Sequence, residues 1–546
     1  MGRALAASAA LKPRPTLQLL GSAPAPLDRA QRKHKVKPYM YAQRSTFSRS
    51  RFAPAKRLRP YLAVTVLVLL CGCTTVGPDY SGVRPDAPQT WEAEMDKGLQ
   101  ATRPEQNTMS NWWKTFNDPV LNRLERRAVT GNLDLRSALS RLRQSRIKRG
   151  ISRSDNFPAL EGSGQFQRQH VREAAGPPNG GEELDYYNAQ FDSSWELDIF
   201  GGIRRSVEAA QADLEASRAS VSDVLTSLMA EVALNYIEVR TFQHRLQITK
   251  ANIAIQKKTY ELNTSRYEAG LINELSVQQA LRNLERTRAQ VAQLENGLQA
   301  AKNRLAILLG QSPGSLKSQL EPVRALPEVP AQVAVGIPAE AMRRRPDIQR
   351  AERELAAQTA RIGVATAQLY PKFHLLGTIG LEALVSGSDF LSSQSMFWNI
   401  GPGVSWNIFQ GRELRLNIDL QTEEQQQALI AYKTTVLNAQ GEIETALSAY
   451  AKEQLRQNSL QKAVAAAKRT EEVARDQYKA GLVDFYNVLD AQRSLLELED
   501  ELIQSQGEVA SNLARLYKAL GGGWSYPEKQ APGVGTPNHS STPPEQ

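Results

Sequence analysis

Cysteine is almost missing from this chain. Only Cys71 and Cys73 occur among 546 residues, too few and too close together for a disulfide framework or a cysteine-based zinc module. The five histidines (His34, His170, His244, His374 and His539) lie too far apart for a local ligand pair, so no metal and no cofactor is expected. Apolar runs of helix-spanning length are also missing. With 41% hydrophobic residues, 23% charged residues and a mean hydropathy of −0.44 the chain is not a helical multi-pass transporter. There is no GxxxxGK[ST], GxSxG or HExxH string and no acid pair on a recognisable catalytic scaffold, so catalysis is not expected.

The formal charge of +10 suggests nucleic acid until it is divided along the chain. Residues 1–72 hold 14 Lys and Arg against Asp28, leaving 53 basic and 56 acidic residues in the remainder. The basicity belongs to the leader and points to no nucleic-acid partner. Arg343-Arg344-Arg345-Pro346 ends one helix and precedes another, where cations suit the C-terminal dipole.

The leader reads as an export signal. Arg49, Arg51, Lys56, Arg57 and Arg59 precede YLAVTVLVLLCG (61–72), which is too short to span a bilayer but fits a signal core. Leu70-Cys71-Gly72-Cys73 resembles a bacterial lipobox, with cleavage before Cys73 and lipid on its thiol, an attachment firm enough to anchor the chain to a membrane. Met40 offers an alternative start.

Downstream the sequence repeats itself. RYEAGLINELSVQQALRNL (266–284) aligns with QYKAGLVDFYNVLDAQRSL (477–495), placing Gly270 with Gly481 and Arg282 with Arg493 at an offset of 211. LAILLG (305–310) and LYKALG (516–521) keep that offset, SWELDIFGG (194–202) faces SWNIFQG (405–411), and Asp134 and Ala138 match Asp347 and Ala351 at 213. Two domain-sized units result. The expected organisation is a leader at 1–72, an N-terminal extension at 73–117, repeat one at 118–322, repeat two at 338–521 and a disordered tail at 522–546.

Each repeat combines two kinds of segment. The first alternates: odd residues from Tyr187 to Ile199 are apolar or small while even ones from Asn188 to Asp198 are polar, and repeat two answers with Trp398, Ile400, Val404, Trp406 and Ile408, preceded by Phe373, Leu375, Ile379 and Leu381. Runs of this length suit tilted membrane strands or a soluble sandwich. The second is helix. Residues 203–269 contain neither Pro nor Gly, and apolar residues recur every seventh place, first at Val207, Leu214, Val221 and Leu228, then from Leu225 through Val232, Val239, Leu246, Ile253 and Tyr260 to Tyr267. Return helices follow Gly270 and Gly481, and the strand-to-helix junctions fall at Gly201-Gly202 and Gly411.

Two hairpins supply four membrane strands per chain, whereas a spanning sheet must close and the smallest barrels have eight. Several chains must therefore share one wall, unless the chain is a lipid-anchored coiled-coil adaptor without a pore. The lipobox, VGPDY (76–80) with Arg84-Pro85, NWWKTFNDPVLNRLERRAV (111–129), the two SW…G junctions, the twin YxAGL turns and LDAQRSL (489–495) together resemble the TolC-like outer-membrane factors of the lipoprotein branch.

That resemblance implies an α+β membrane protein: a homotrimer whose chains share a twelve-stranded outer-membrane barrel, continued by a periplasmic α-helical tunnel with an equatorial belt built partly from the chain ends. It implies an exit duct in outer-membrane lipid that works with a periplasmic adaptor and an inner-membrane transporter of the RND type. Tyr486, Asp490 and Arg493, at i, i+4 and i+7, lie within about 60° on a helix and match the family's periplasmic constriction. Three Asp490 carboxylates would repel one another or recruit cations, with Arg493 bridging helices, whereas the residues alone read equally as a surface ion pair. Asp484 reads as a helix N-cap or a second acidic ring. Gly270, Leu271, Gly481 and Leu482 are candidate docking tips, unless each leucine only closes its own hairpin.

Overall fold

The computed structural model describes residues 75–83, 85, 87–96, 98–170, 172, 181, 183–384 and 390–524. The leader with Cys71 and Cys73, Arg84 and the tail from 525 lie outside the described residues. In chain order the elements are β1 (Leu99–Gln100), α1 (Gln106–Ser110), a 3-10 turn (Trp112–Phe116), α2 (Pro119–Gly131), α3 (Leu133–Ser154), β2 (Ala159–His170), β3 (Glu183–Leu197), α4 (Gly202–Glu268), α5 (Glu274–Leu308), α6 (Lys317–Leu320), β4 (Val333–Ala334), α7 (Pro338–Arg344), α8 (Pro346–Ala367), β5 (Lys372–Leu384), β6 (Met396–Ser405), α9 (Glu413–Lys479) and α10 (Phe485–Ala519).

The repeat is visible as length: α3 and α8 have 22 residues each, α4 and α9 have 67, α5 and α10 have 35. At 1.5 Å per residue the long pair run about 100 Å. No described helix is long and apolar enough to cross a membrane.

β2, β3, β5 and β6 form one antiparallel sheet in that order. Its register stacks like with like. Gly162, Phe191, Ile379 and Trp398 lie in one row, and Gly164, Ala189, Leu381 and Met396 in another. Phe191, Ile379, Trp398, Ile400 and Val404 are all exposed, so a band across one face is apolar and uncovered, while the Arg168–Asp185 ion pair lies on the same face towards its end. The opposite face is polar and bonded to itself: Gln190 donates to Asp192 at 2.8 Å and Thr378 to Asp192 at 2.7 Å. A sandwich strand would bury its apolar face. This sheet presents it outward, as a wall in lipid does. Pro402 sits in β6 opposite Leu375 and has no N–H to give to a ladder. Trp406 and Ile408 lie beyond the end of that strand.

Near the sheet the helices pack side by side as α3, α4, α8, α9; farther away the order is α5, α4, α10, α9. Between the two layers the chain ends and the inter-repeat segment meet in one core. Trp112, fully buried, stacks on Tyr517 with ring centroids 5.4 Å apart and meets Phe116 edge-on. The expected tail begins later than at 522, because Gly522 donates to the Tyr517 carbonyl at 2.9 Å and Gly523 to that of Met109 at 2.8 Å. A Cβ at Gly522 would lie 3.0 Å from the Met109 and Tyr517 carbonyls, and one at Gly523 3.1 Å from Trp112 on a backbone with φ +90°.

Two buried polar groups stand out in this waist. Arg240 has no exposed surface; its guanidinium donates to the Tyr236 hydroxyl at 3.0 Å, to Gln243 at 2.7 Å and to the Pro322 carbonyl at 2.8 Å. Tyr236 in turn donates to Asp118, the N-cap of α2. Glu125 is also fully buried, and neither carboxylate oxygen has a hydrogen-bond partner among the described residues. Desolvation pushes its pKa well above the usual carboxylate range, so the folded protein holds it protonated. The sign follows from linkage. Between the unfolded pKa of about 4.3 and the raised folded value, the native state binds more protons, and stability falls as pH rises by up to about 1.4 kcal/mol per pH unit. Glu125→Gln is expected to flatten this slope and raise the unfolding midpoint at pH 8 relative to the parent, with the gain shrinking towards pH 4.5. Parallel melting curves at the two pH values check it.

The second predicted heptad stripe is buried at Leu225, Val232, Val239 and Leu246, but farther down Tyr267 is exposed. The buried stripe there is polar: Thr249, Gln256 and Asn263, seven apart. The reason is the change of neighbours, since α4 leaves α3 and α8 and takes α5 and α10 on its flanks. Arg345 also departs from expectation. It is buried rather than a simple complement to a helix dipole, and its guanidinium binds Asp347 and Glu442, both at 2.7 Å, and the Ala519 carbonyl at 2.8 Å.

Candidate functional site

The end of the rod farthest from the sheet is made of two short helix-to-helix turns built alike. After α4 the Gly270 N–H donates to Tyr267 at 2.8 Å and Leu271 to Arg266 at 2.9 Å; after α9 Gly481 donates to Tyr478 at 3.0 Å and Leu482 to Gln477 at 2.9 Å. This is the Schellman closure, which needs a left-handed residue, and φ is +70° at Gly270 and +75° at Gly481. The following leucines do not close their hairpins: Leu271 is 69% exposed and Leu482 74%.

One turn into α10, Tyr486, Asp490 and Arg493 are all exposed, while Phe485, Val488, Leu489, Gln492 and Leu496 bury the other face. The structure therefore brings the three predicted residues onto one bare face. Within the protomer Arg493 pairs with Glu497 at 2.9 Å along its own helix. Glu497 first, then Asp490 and Tyr486, raise its pKa and favour the charged guanidinium. Asp484 occupies the N-cap position of α10 with extended backbone, yet its side chain makes no capping hydrogen bond. Its repeat mate Asn273 does cap, accepting from the Ser276 N–H at 3.3 Å, so the carboxylate in repeat two is left at the surface.

Behind this face Ala280, Tyr478, Phe485, Val488 and Leu489 form an apolar cluster, and beside it lie buried polar contacts that the heptad pattern did not disclose. Tyr478 donates to the fully buried Asn263 at 3.1 Å, and Gln492 to Glu471 at 3.5 Å. The remaining oxygens of Gln256 and Gln492 are buried without a partner among the described residues.

At the other end the strand-to-helix junctions repeat one another. Trp195 donates to the Asn156 carbonyl at 2.9 Å and its mate Trp406 to Leu369 at 3.1 Å, tying each second strand to the end of a short helix. Gly201 has φ +82° and Gly411 +51°, followed by Arg412 at +72°, whereas Gly202 is not left-handed and begins α4 against Ala367. Asp198, unforeseen from sequence, caps α4 by accepting from the Ile203 N–H at 3.1 Å and the Arg204 N–H at 2.8 Å. Among the described residues only the first junction is covered. Thr75 lies where a Cβ on Gly201 would go, Val76 donates to the Phe200 carbonyl at 3.1 Å, and the buried Arg205 donates to Asp79 at 2.6 Å and to the Val76 carbonyl at 3.1 Å.

A four-stranded sheet with a bare apolar face, continued by helical rods and duplicated at offsets of 211 and 213, is what the comparison with known proteins finds elsewhere. The sequence signature described as outer membrane efflux protein matches residues 124–311 and 337–522. The chain belongs to the outer membrane efflux protein family. This efflux protein is 31% identical over 473 residues to nodulation protein T of Rhizobium leguminosarum bv. trifolii, covering 86% of the chain and 98% of the relative. It is equally 31% identical over 472 residues to the toluene efflux pump outer membrane protein TtgI of Pseudomonas putida, covering 85% and 98%. Among solved structures, the outer-membrane channel OprN matches with TM-score 0.77 and 37% identity over 83% of this chain and all of that one. The CusC channel matches with TM-score 0.71 and 25% identity over 82% of this chain and all of that one. The efflux protein is thus an outer-membrane channel, and its sheet is one third of a twelve-stranded barrel made by three chains.

Proposed function

We propose that this channel is the exit duct of a tripartite pump, closed at its periplasmic mouth by Tyr486, Asp490 and Arg493 from each of three chains. Leu271 and Leu482 would receive a periplasmic adaptor, and an RND-type inner-membrane transporter would supply the energy. Lipid on Cys73 would anchor each chain, consistent with Thr75 seated where the strands give way to helix.

The observation carrying the gate is the bare face of α10: an aromatic, an acid and a base, solvent-exposed in the protomer, sit just above the turn at the far end of the rod. Brought round a threefold axis, three Asp490 carboxylates hold cations and resist anions, and opening exchanges contacts between the packed helices. Asp484, free of a capping bond, adds a second acidic ring below. Relatives are named for toluene, pyoverdine and antibiotics, so cargo choice is assigned to the transporter rather than to this duct.

Asp490→Ala is expected to raise single-channel conductance severalfold in planar bilayers and to weaken cation preference, with the trimer intact. Unchanged conductance and selectivity in an intact trimer would remove Asp490 from the gate.

A further inference from the structure

We infer that the seam between neighbouring protomers is a copy of the chain's own seam between α4 and α8, closed by Lys148 of one protomer on Glu424 of the next. The inference rests on the trimeric ring described above and adds which residues make it.

The duplication leaves two vacancies of complementary kind. Near the sheet, α4 has a short helix on each side, α3 and α8, whereas α9 has α8 alone and α3 packs on α4 alone. A short helix is missing beside α9 and a long one beside α3. In a ring of identical chains each fills the other's gap.

Burial supports this position by position. Leu416, Leu420, Ile430 and Leu437 of α9 are between 54% and 66% exposed. Shifted by the offset of 211 they fall on Arg205, Ala209, Ala219 and Thr226 of α4, which are between 2% and 7% exposed. The positions that repeat one covers are bare in repeat two, and at three of the four a larger apolar side chain stands there: Leu420, Ile430 and Leu437 for Ala209, Ala219 and Thr226. On α3 the exposed Leu133 and Ile147 correspond, at 213, to Pro346 and Ala360 of α8, both buried. Isolated exposed leucines are ordinary; a stripe of them in register with a buried stripe marks a contact.

Charge gives the register. Three ion pairs cross the seam of α4 and α8, each with its cation on the short helix: Arg350 to Asp223 at 3.2 Å, Arg353 to Glu215 at 3.3 Å and Arg361 to Asp213 at 2.6 Å. The same offsets carry them to Ser137 and Thr434, Ser140 and Gln426, and Lys148 and Glu424. The last keeps both charges in the same sense. The surroundings agree: α3 carries seven basic residues against Asp134, and the first twelve residues of α9 carry Glu413, Asp419, Glu423 and Glu424 against Arg415. None of these charges forms an ion pair among the described residues. Within the protomer Glu424 only accepts from Gln358, at 2.7 Å. A basic helix and an acidic one at opposite edges of the protomer favour head-to-tail closure and oppose pairing of like edges.

The test uses the full chain with Cys71→Ser, retaining Cys73, and adds Lys148→Cys and Glu424→Cys together. Oxidation in membranes is expected to yield covalent dimers and trimers on non-reducing gels, reversed by reductant, with neither single variant giving the trimer band. A native trimer without the covalent ladder, or with a bridge inside one chain, overturns the inference and leaves the trimeric reading standing; a monomer by native mass spectrometry overturns both. A charge exchange provides the second measurement. Lys148→Glu is expected to weaken association about tenfold, and Lys148→Glu with Glu424→Lys to restore it. Equal loss in single and double variants places Lys148 elsewhere, for instance on anionic lipid.

Discussion

Leu271→Asp combined with Leu482→Asp is expected to abolish export by cells and to remove the periplasmic adaptor from affinity-purified complexes, while pore conductance in planar bilayers is unchanged. Both leucines are largely exposed and neither closes its hairpin, so the substitution removes almost no internal packing. Both follow a Schellman closure whose hydrogen bonds are backbone only, so the turns themselves survive. A leucine fully covered by a partner contributes about 1.5–3 kcal/mol, and a trimer presents six of them. Aspartate would replace that gain with buried, unpaired charge at every contact. Retention of the adaptor with normal export would show that docking occurs elsewhere on the rod.

The second large effect is on stability. Arg240→Ala is expected to lower the unfolding free energy by about 3–5 kcal/mol, the range for breaking a buried charged network by deleting one member. The loss has three parts. Pro322 and Gln243 lose their donor, the Tyr236 hydroxyl loses a neighbour, and the hydrogen bond from Tyr236 to the buried Asp118 loses its support. Arg240→Lys is not expected to rescue, because a single ammonium cannot replace a planar fork serving three acceptors in different directions. Tyr236→Phe should cost about 1–2 kcal/mol, since it removes one hydroxyl and no charge. Denaturant titrations of the detergent-solubilised protein, followed by circular dichroism, give all three. An Arg240→Ala midpoint equal to that of the parent would mean that the waist does not depend on this network.

Much of the architecture was legible because it is periodic. Alternation of period two in residues 187–199 became β3, which stops at Leu197 and leaves Ile199 outside the strand, and the run without Pro or Gly became α4, a rod of 67 residues. The offset of 211 returned in the lengths of four helices and in both glycine turns. The candidate gate was legible in part. Spacing alone places Tyr486, Asp490 and Arg493 on one face, but not whether that face is covered, and Arg493 turned to Glu497 on its own helix. The polar seam behind the gate had no signal, because Gln256 and Asn263 look like solvent-facing residues in a helix so rich in them.

What the sequence by itself determined is the set of local repeats: two domain-sized units, four half-apolar strands too few to close, and rods too long to stand alone. Each is a relation between residues near in the chain or related by one constant offset. What only the tertiary structure decided is who meets whom across it. Arg240 is buried because Asp118, Tyr236 and Pro322 converge on one place. Gly523 is packed because Trp112 arrives there from the other end of the chain, and α9 keeps a bare apolar stripe because no second short helix reaches it. Burial is a property of neighbours, and neighbours from distant parts of a chain leave no period to read.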